Sequence, residues 1–171
     1  ANRTVFDNLP MNATRSNQWG YQSLTSKSKH PAKSVVIDKS VENLHGLIST
    51  KGMFENFAYC ESITGTEYLD MSNVKDASFM FYYFGFNVED LNCVPNTSSW
   101  DLSNVESIDY MFYDYGFYSK TLNKVPDVSN WDVSKLDSAE LLFYYYGSGS
   151  EVLAEVPDVS KWNTENLLQR Q

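Results

Sequence analysis

Cysteine, histidine, basic charge and long apolar runs are all scarce in this chain of 171 residues, and each scarcity removes a class of function. Only two cysteines, Cys60 and Cys93, and two histidines, His30 and His45, occur. No pair among them has the spacing of a zinc site, so no metal or other cofactor is expected. Lys and Arg number 13 against 22 Asp and Glu, a net charge of −9. Nucleic acid needs a basic footprint to meet its phosphates, so it is excluded as a partner. The longest apolar run, from Phe79 to Phe86, falls far short of the roughly 20 residues of a membrane helix. No membrane insertion is expected of this segment. The chain does not open with a charged stretch followed by an apolar one, so no signal peptide is visible; a start at Ala1 fits a cleaved signal or a shortened chain. Nucleophile-elbow, phosphate-loop and dinucleotide fingerprints are missing, and Gly147-Ser-Gly-Ser150 reads as a flexible turn. An enzyme is not expected.

What the chain does have is aromatic residues, 15% of the whole with twelve Tyr and ten Phe. In a sequence poor in Ile, they must supply much of any core. They are also periodic. Leu69, Trp100, Trp131 and Trp162 stand 31 residues apart, as do Phe81, Phe112 and Phe143, Tyr82, Tyr113 and Tyr144, and Gly85, Gly116 and Gly147. Val94-Pro95, Val125-Pro126 and Val156-Pro157 keep the same interval. A fixed period between 20 and 50 residues marks a stacked repeat, in which binding surfaces run along the stack.

Residues 1–33 do not fit the period and read as an irregular leader or N-terminal cap, with Val35-Val36-Ile37 as the first strand. Residues 34–171 form the repeat region. A degenerate unit spans 42–68, where Leu44, Leu47, Thr50, Met53 and Phe54 match Leu102, Val105, Ile108, Met111 and Phe112. Better units start near Leu69, Trp100 and Trp131, and a partial one spans 162–171. Either the array continues past it or Leu167 and Leu168 close the end; the cut before its Met-Phe position suggests a piece of a longer array.

Two local periods are visible inside each unit. Val105, Ile108, Met111, Phe112 and Tyr115 lie at i, i+3, i+6, i+7 and i+10, the spacing of one helical face. Ser103 with Glu106 has capping-box spacing, and Gly116 supplies a left-handed C-cap. A helix over about 104–115 is therefore expected. Leu122-x-x-Val125-Pro-Asp-Val128 reads as a short strand, shortened because proline removes a ladder donor. Neighbouring copies would pair in parallel about 4.8 Å apart. The expected fold is α/β: a leucine-rich-repeat-like solenoid with one short parallel strand and one helix per 31-residue repeat, behind an irregular N-terminal cap.

Val156-Pro-Asp-Val-Ser-Lys-Trp-Asn-Thr164, Val125-Pro-Asp-Val-Ser-Asn-Trp-Asp-Val-Ser134 and Trp100-Asp-Leu-Ser-Asn-Val…Tyr110-Met-Phe-Tyr113 resemble the BspA-type leucine-rich repeats. More narrowly, they resemble the variant of that repeat found in mycoplasma lipoproteins. The resemblance runs from about residue 42 to 171. It departs from the pattern at Leu69, which replaces the Trp, at Ser134-Lys-Leu136 and Leu142-Phe143, and in an extra segment after the Gly (Phe86 to Asp90, Phe117 to Thr121). Proteins of that kind are anchored at or secreted to the surface of bacteria and some parasitic protists. The resemblance implies adhesion to host proteins, matrix or other cells, and an extracellular or cell-surface location.

Two surfaces are candidates for the contact. The expected concave strand face varies between units at Asn92, Cys93 and Asn96, at Asn123, Lys124 and Asp127, and at Ala154, Glu155 and Asp158. Variation on a constant framework suits recognition, and it also describes an unselected surface. The second is the Tyr-rich side. Three successive aromatics cannot all point inward, so some of Tyr83, Tyr113, Tyr144 and Tyr145 are expected to be exposed, as Tyr often is at recognition surfaces. Core and inter-unit stacking is the alternative use of the same rings. The ladder Asp70, Asp101, Asp132 and Asn163 reads as Asx turns or caps; a calcium site needs oxygens converging on one point. Cys60 aligns with Leu91, Leu122 and Leu153, a core position, whereas Cys93 aligns with Lys124 and Glu155, so a disulfide between them is disfavoured. Asn-x-Ser/Thr triplets begin at Asn2, Asn12 and Asn96. The functional expectation is a monomeric module that binds a protein or glycan ligand through Asn92, Asn96, Asn123, Lys124, Asp127, Glu155 and Asp158, with Tyr113 and Tyr144 second. A structural spacer that binds nothing is the alternative.

Overall fold

A computed structural model describes residues 3–6 and 29–168 of the chain. Regular structure is confined mainly to its beginning. Strands β1 (Arg3–Phe6), β2 (Ser34–Ile37) and β3 (Ser62–Thr64) form one parallel sheet in that order. Arg3 pairs with Ser34, and Ser34 with Ser62. β2 alternates half-buried and buried residues, placing Val35 and Ile37 in the core. Two short 3-10 helices follow the strands, at Lys39–Asn43 and Thr66–Tyr68. Asp38 caps the first by accepting the Ser40 N–H at 2.9 Å, and Gly65 opens the second at φ +87°. A Cβ at Gly65 would stand 2.0 Å from the Ile37 carbonyl oxygen, so only glycine lets β2 and this turn meet. Of the expected irregular leader over 1–33, residues 1–2 and 7–28 lie outside the described residues. Arg3–Phe6, by contrast, pairs with β2 at the 31-residue interval.

The expected strand-plus-helix solenoid is not what forms. The segment expected to be a helix over 104–115 is a run of turns in every unit, and the one α-helix among the described residues is Glu165–Leu168. The reason lies in where the peptide N–H groups point. An α-helix uses them internally, from residue i to i−4. Here the N–H groups of Ile108, Tyr110, Phe112 and Asp114 donate to the carbonyls of Ser138, Glu140, Leu142 and Tyr144 in the next unit, at 2.8–3.1 Å. The intervening N–H groups close tight turns: Met111 to Ile108, Tyr113 to Tyr110 and Tyr115 to Phe112. Ala77, Phe79, Phe81 and Tyr83 donate in the same way to Ser107, Asp109, Met111 and Tyr113. One residue in four adopts positive φ, at Phe79 and Tyr83, Tyr110 and Asp114, Leu141 and Tyr145, and that breaks any continuous helix.

The expected strand over Leu122–Val128 is also absent; among the described residues no strand follows Thr64. Proline at 95, 126 and 157 removes a donor from each copy. Side chains make the unit-to-unit bonds instead. Thr66 and Thr97 hydroxyls donate to the carbonyls of Asn96 and Asp127 at 2.8 Å. The indole N–H groups of Trp100, Trp131 and Trp162 donate to the carbonyls of Thr66, Thr97 and Val128 at 2.9 Å.

Packing follows the 31-residue interval all the same. Val105, Ile108, Met111, Phe112 and Tyr115 are fully buried, as the spacing of apolar residues implied. Phe54, Phe81, Phe112 and Phe143 stack in a column at 5.2–5.5 Å between ring centres. A second column runs His30, Phe57, Phe84, Tyr115, Tyr146, and Trp100, Trp131 and Trp162 form a third. Such contacts contribute about 0.5–1.5 kcal/mol each beyond area burial. Cys60 is buried and its thiol pushed up to about 12 by desolvation. Cys93 is half-buried, with Sγ 3.5 Å from the Ile63 carbonyl oxygen, and both thiols are free.

Candidate recognition surface

The candidate residues fall into two sets. Asn92, Asn96, Asn123, Lys124, Asp127, Glu155 and Asp158 are all exposed. With no strand beneath them, they do not form the expected concave strand face. They sit at equivalent positions of turn-linked segments, and Asn92 Oδ1 accepts the Asn123 N–H at 3.2 Å. Several have local roles. Asp127 and Asp158 each accept the N–H and the hydroxyl of the serine two residues on, Ser129 and Ser160, at 2.6–3.0 Å. Asn96 does the same for Ser98. These bonds hold the carboxyls of Asp127 and Asp158 below the usual carboxylate range.

The Asp70, Asp101, Asp132, Asn163 series is built alike. Each side chain accepts the N–H of the residue two positions on, at 3.0–3.1 Å, which is an Asx turn. Burial pushes Asp70 up, but hydrogen bonds from Ser72 and His45 outweigh it and leave the carboxyl lowered. The oxygens are engaged along a line, and among the described residues no three His, Cys, Asp or Glu side chains gather where a metal could bind. His45 Nδ1 lies 2.9 Å from Asp70 Oδ2, while His30 is half-buried and stacks on Phe57 at 4.1 Å. A hollow of about 320 Å³ beside Trp131, lined by Asp132, Lys161 and Asn163 among others, has those two Asx side chains already engaged.

Tyr113 and Tyr144 belong to a different surface. With Tyr82 they form an outer column, 5.2 Å between successive rings. Among the described residues no ring contact or hydrogen bond joins this column to the first set. Phe86 and Phe117 extend the patch, stacked at 5.0 Å, and Tyr83 lies 4.7 Å from Phe86. Tyr144 is 42% exposed and Tyr145 50%, so the sequence expectation of exposed tyrosines is met at both.

Asp114 is the residue that sequence reasoning passed over. It occupies the column position held by Asn56, Tyr83 and Tyr145, all at positive φ with it. It is only 5% exposed, and its Oδ1 has no hydrogen-bond partner. Desolvation raises its carboxyl, partly offset by the neighbouring Tyr83 hydroxyl. The phenols of Tyr82, Tyr83, Tyr113 and Tyr144 all sense the Asp114 charge. The signal was available: Asp114 stands between Tyr83 and Tyr145 at the equivalent position of the flanking units.

A family described as "Mycoplasma protein of unknown function, DUF285" matches residues 48–171. No curated protein and no solved structure matches the chain. Among the described residues no helix is long and apolar enough to cross a membrane.

Proposed function

The chain belongs to the DUF285 family, and from that premise we propose that it is a binding and adhesion module at or outside the cell surface, of the kind the BspA-type motifs imply. Its ligand is a protein or glycan of a host or neighbouring cell. The observation that carries this reading is the outer aromatic surface. Tyr144 and Tyr145 present large, half-exposed rings from a backbone braced by hydrogen bonds between units. Rigid amphipathic rings of this kind provide contact area at low entropic cost. The exposed residues around Lys124 and Glu155 offer a second, charged contact.

A test is capture of immobilised host matrix proteins and a glycan array by the purified protein, with and without calcium. Saturable binding to one class is expected. Replacing Lys124, Asp127, Glu155 and Asp158 together should abolish capture if that surface makes the contact, and replacing Tyr144 and Tyr145 should abolish it if the aromatic surface does. The continuous ring columns also suit a stiff spacer; a well-folded sample that captures nothing supports that second reading.

A further inference from the structure

Asp114 sits where neighbouring units place a tyrosine, and its burial is incompletely compensated. Leaving a buried acceptor unpaired costs about 1–3 kcal/mol, and more for a charged group. Its left-handed backbone explains part of the residue choice, because Asp and Asn tolerate positive φ better than most. It does not explain a carboxylate, since Asn56 meets the same backbone demand without charge. Nor does a cation of the protein balance it: among the described residues no Lys, Arg or His pairs with Asp114.

Tyrosines flank the charge: Asp114 follows Tyr113 in the chain, and its N–H donates to the Tyr144 carbonyl at 2.9 Å. Tyr82 and Tyr83 cross at 4.4 Å and 51°, and Tyr144 and Tyr145 at 4.1 Å and 55°, with the Phe117 ring perpendicular to Tyr145 at 5.7 Å between centres. Ring faces attract cations through their quadrupole, and the attraction grows with desolvation. The same patch already holds one ammonium. Lys29 Nζ lies 5.2 Å from the centre of Phe86 and 5.8 Å from that of Tyr59, hydrogen-bonded to Asn87. Phe86 stacks on both Tyr83 and Phe117, so the internal ammonium marks one end of a surface whose other end, at Tyr144 and Tyr145, is open.

We propose that the Tyr82, Tyr83, Tyr113, Tyr144 and Tyr145 rings with Asp114 beneath them form a subsite for an organic ammonium group, presented by a lysine side chain or by a free amine. The cation rests on the exposed rings of Tyr144 and Tyr145, and the Asp114 charge acts on it from below through the phenols. The net charge of −9 adds a favourable field for any such ligand. This rests on the reading of the aromatic surface as the recognition surface and names the chemistry it selects.

The test is NMR titration of the full chain, following ring and backbone signals of Tyr144 and Tyr145. The probes are tetramethylammonium, n-butylammonium, and the neutral tert-butanol and methyl glucoside. Saturable shifts with both cations and none with the neutral probes are expected. Asp114→Asn keeps the left-handed backbone and should weaken cation binding at least about tenfold. Tyr144→Ala, at an exposed position, should weaken it several-fold, which keeps the test decisive if the first variant does not fold. No saturable shift, equal affinity for tert-butanol or the glucoside, or unchanged affinity in the variants overturns the subsite. A lysine-containing peptide and its Nε-acetylated form separate the sources: tighter binding than n-butylammonium, lost on acetylation, assigns a protein lysine. Equal affinity of peptide and n-butylammonium assigns a free amine. Capture of matrix or glycan without ammonium binding sinks the subsite alone, while ammonium binding without capture sinks only the adhesion reading.

Discussion

Tyr115 and Tyr113 stand two residues apart in the same run of turns, and the protein uses them in opposite ways. Tyr115 is fully buried, stacked between Phe84 and Tyr146, with its hydroxyl on the Cys93 carbonyl at 2.5 Å. Tyr113 stacks between Tyr82 and Tyr144 on the outside. Both columns have nearly the same ring spacing, because both are set by the hydrogen bonds that fix one unit against the next. Identical stacking thus says nothing about purpose; burial and the fate of the hydroxyl do. The inner column seals the core. The outer one ends in the half-exposed rings of Tyr144 and its neighbour Tyr145, and its phenols sense the Asp114 charge.

Breaking the comparison at its strongest point gives the largest effect. Tyr115→Ala should cost about 3–5 kcal/mol, as for other fully buried aromatic truncations, whereas Tyr144→Ala should stay within about 1 kcal/mol. Urea denaturation of the two variants reads both. Next comes the Trp column. Trp131→Phe keeps the ring but leaves the Thr97 carbonyl without its indole donor, and about 1–3 kcal/mol of destabilisation is expected from that orphaned acceptor. The smallest effect belongs to Lys120→Ala. Its ion pair with Glu89 is 3.5 Å long and solvent-exposed, so the loss should be under about 1 kcal/mol and fall further in high salt.

Between these lies a pH dependence that separates the two kinds of carboxyl. Asp114 is raised in the folded chain from the ordinary 3.8 by desolvation. The folded state therefore binds more protons than the unfolded one above that value, and stability falls as pH rises through the window up to the raised value. Asp114→Asn should remove that fall, matching wild type at low pH and exceeding it at neutral pH. Asp132 is lowered by its bonds from Ser134, so its contribution is present above the ordinary value and lost as pH falls through the lowered one. Asp132→Asn should lessen the acid sensitivity. Thermal unfolding across pH 2–7 for the three proteins distinguishes these opposite signs.

Much of the core was legible in the sequence, and much of the secondary structure was not. Val105, Ile108, Met111, Phe112 and Tyr115 announce burial by their spacing. The same spacing arises when successive tight turns face one interior, so periodicity alone could not separate turns from a helix. The deciding feature, positive φ, falls at Tyr110 on a residue whose type gives little warning, and only Asp114 in that run is of a type that favours it. Val125-Pro126 read as strand because the bonding there had to be inferred from backbone, whereas Thr97 and Trp131 side chains supply it. The exposed tyrosines follow from the crowding of successive aromatics, whereas Asp114 is marked in the sequence only by interrupting a column of the repeat. A break in such a column was the better pointer.

Peptide groups that bond between units rather than within a helix define this fold. Scalar couplings across hydrogen bonds in an isotope-labelled sample test this directly. They should connect the Phe112 nitrogen to the Leu142 carbonyl carbon and the Tyr110 nitrogen to that of Glu140. A coupling from the Phe112 nitrogen to the Ile108 carbonyl carbon instead would restore the helix and contradict the arrangement that holds the two tyrosine columns apart.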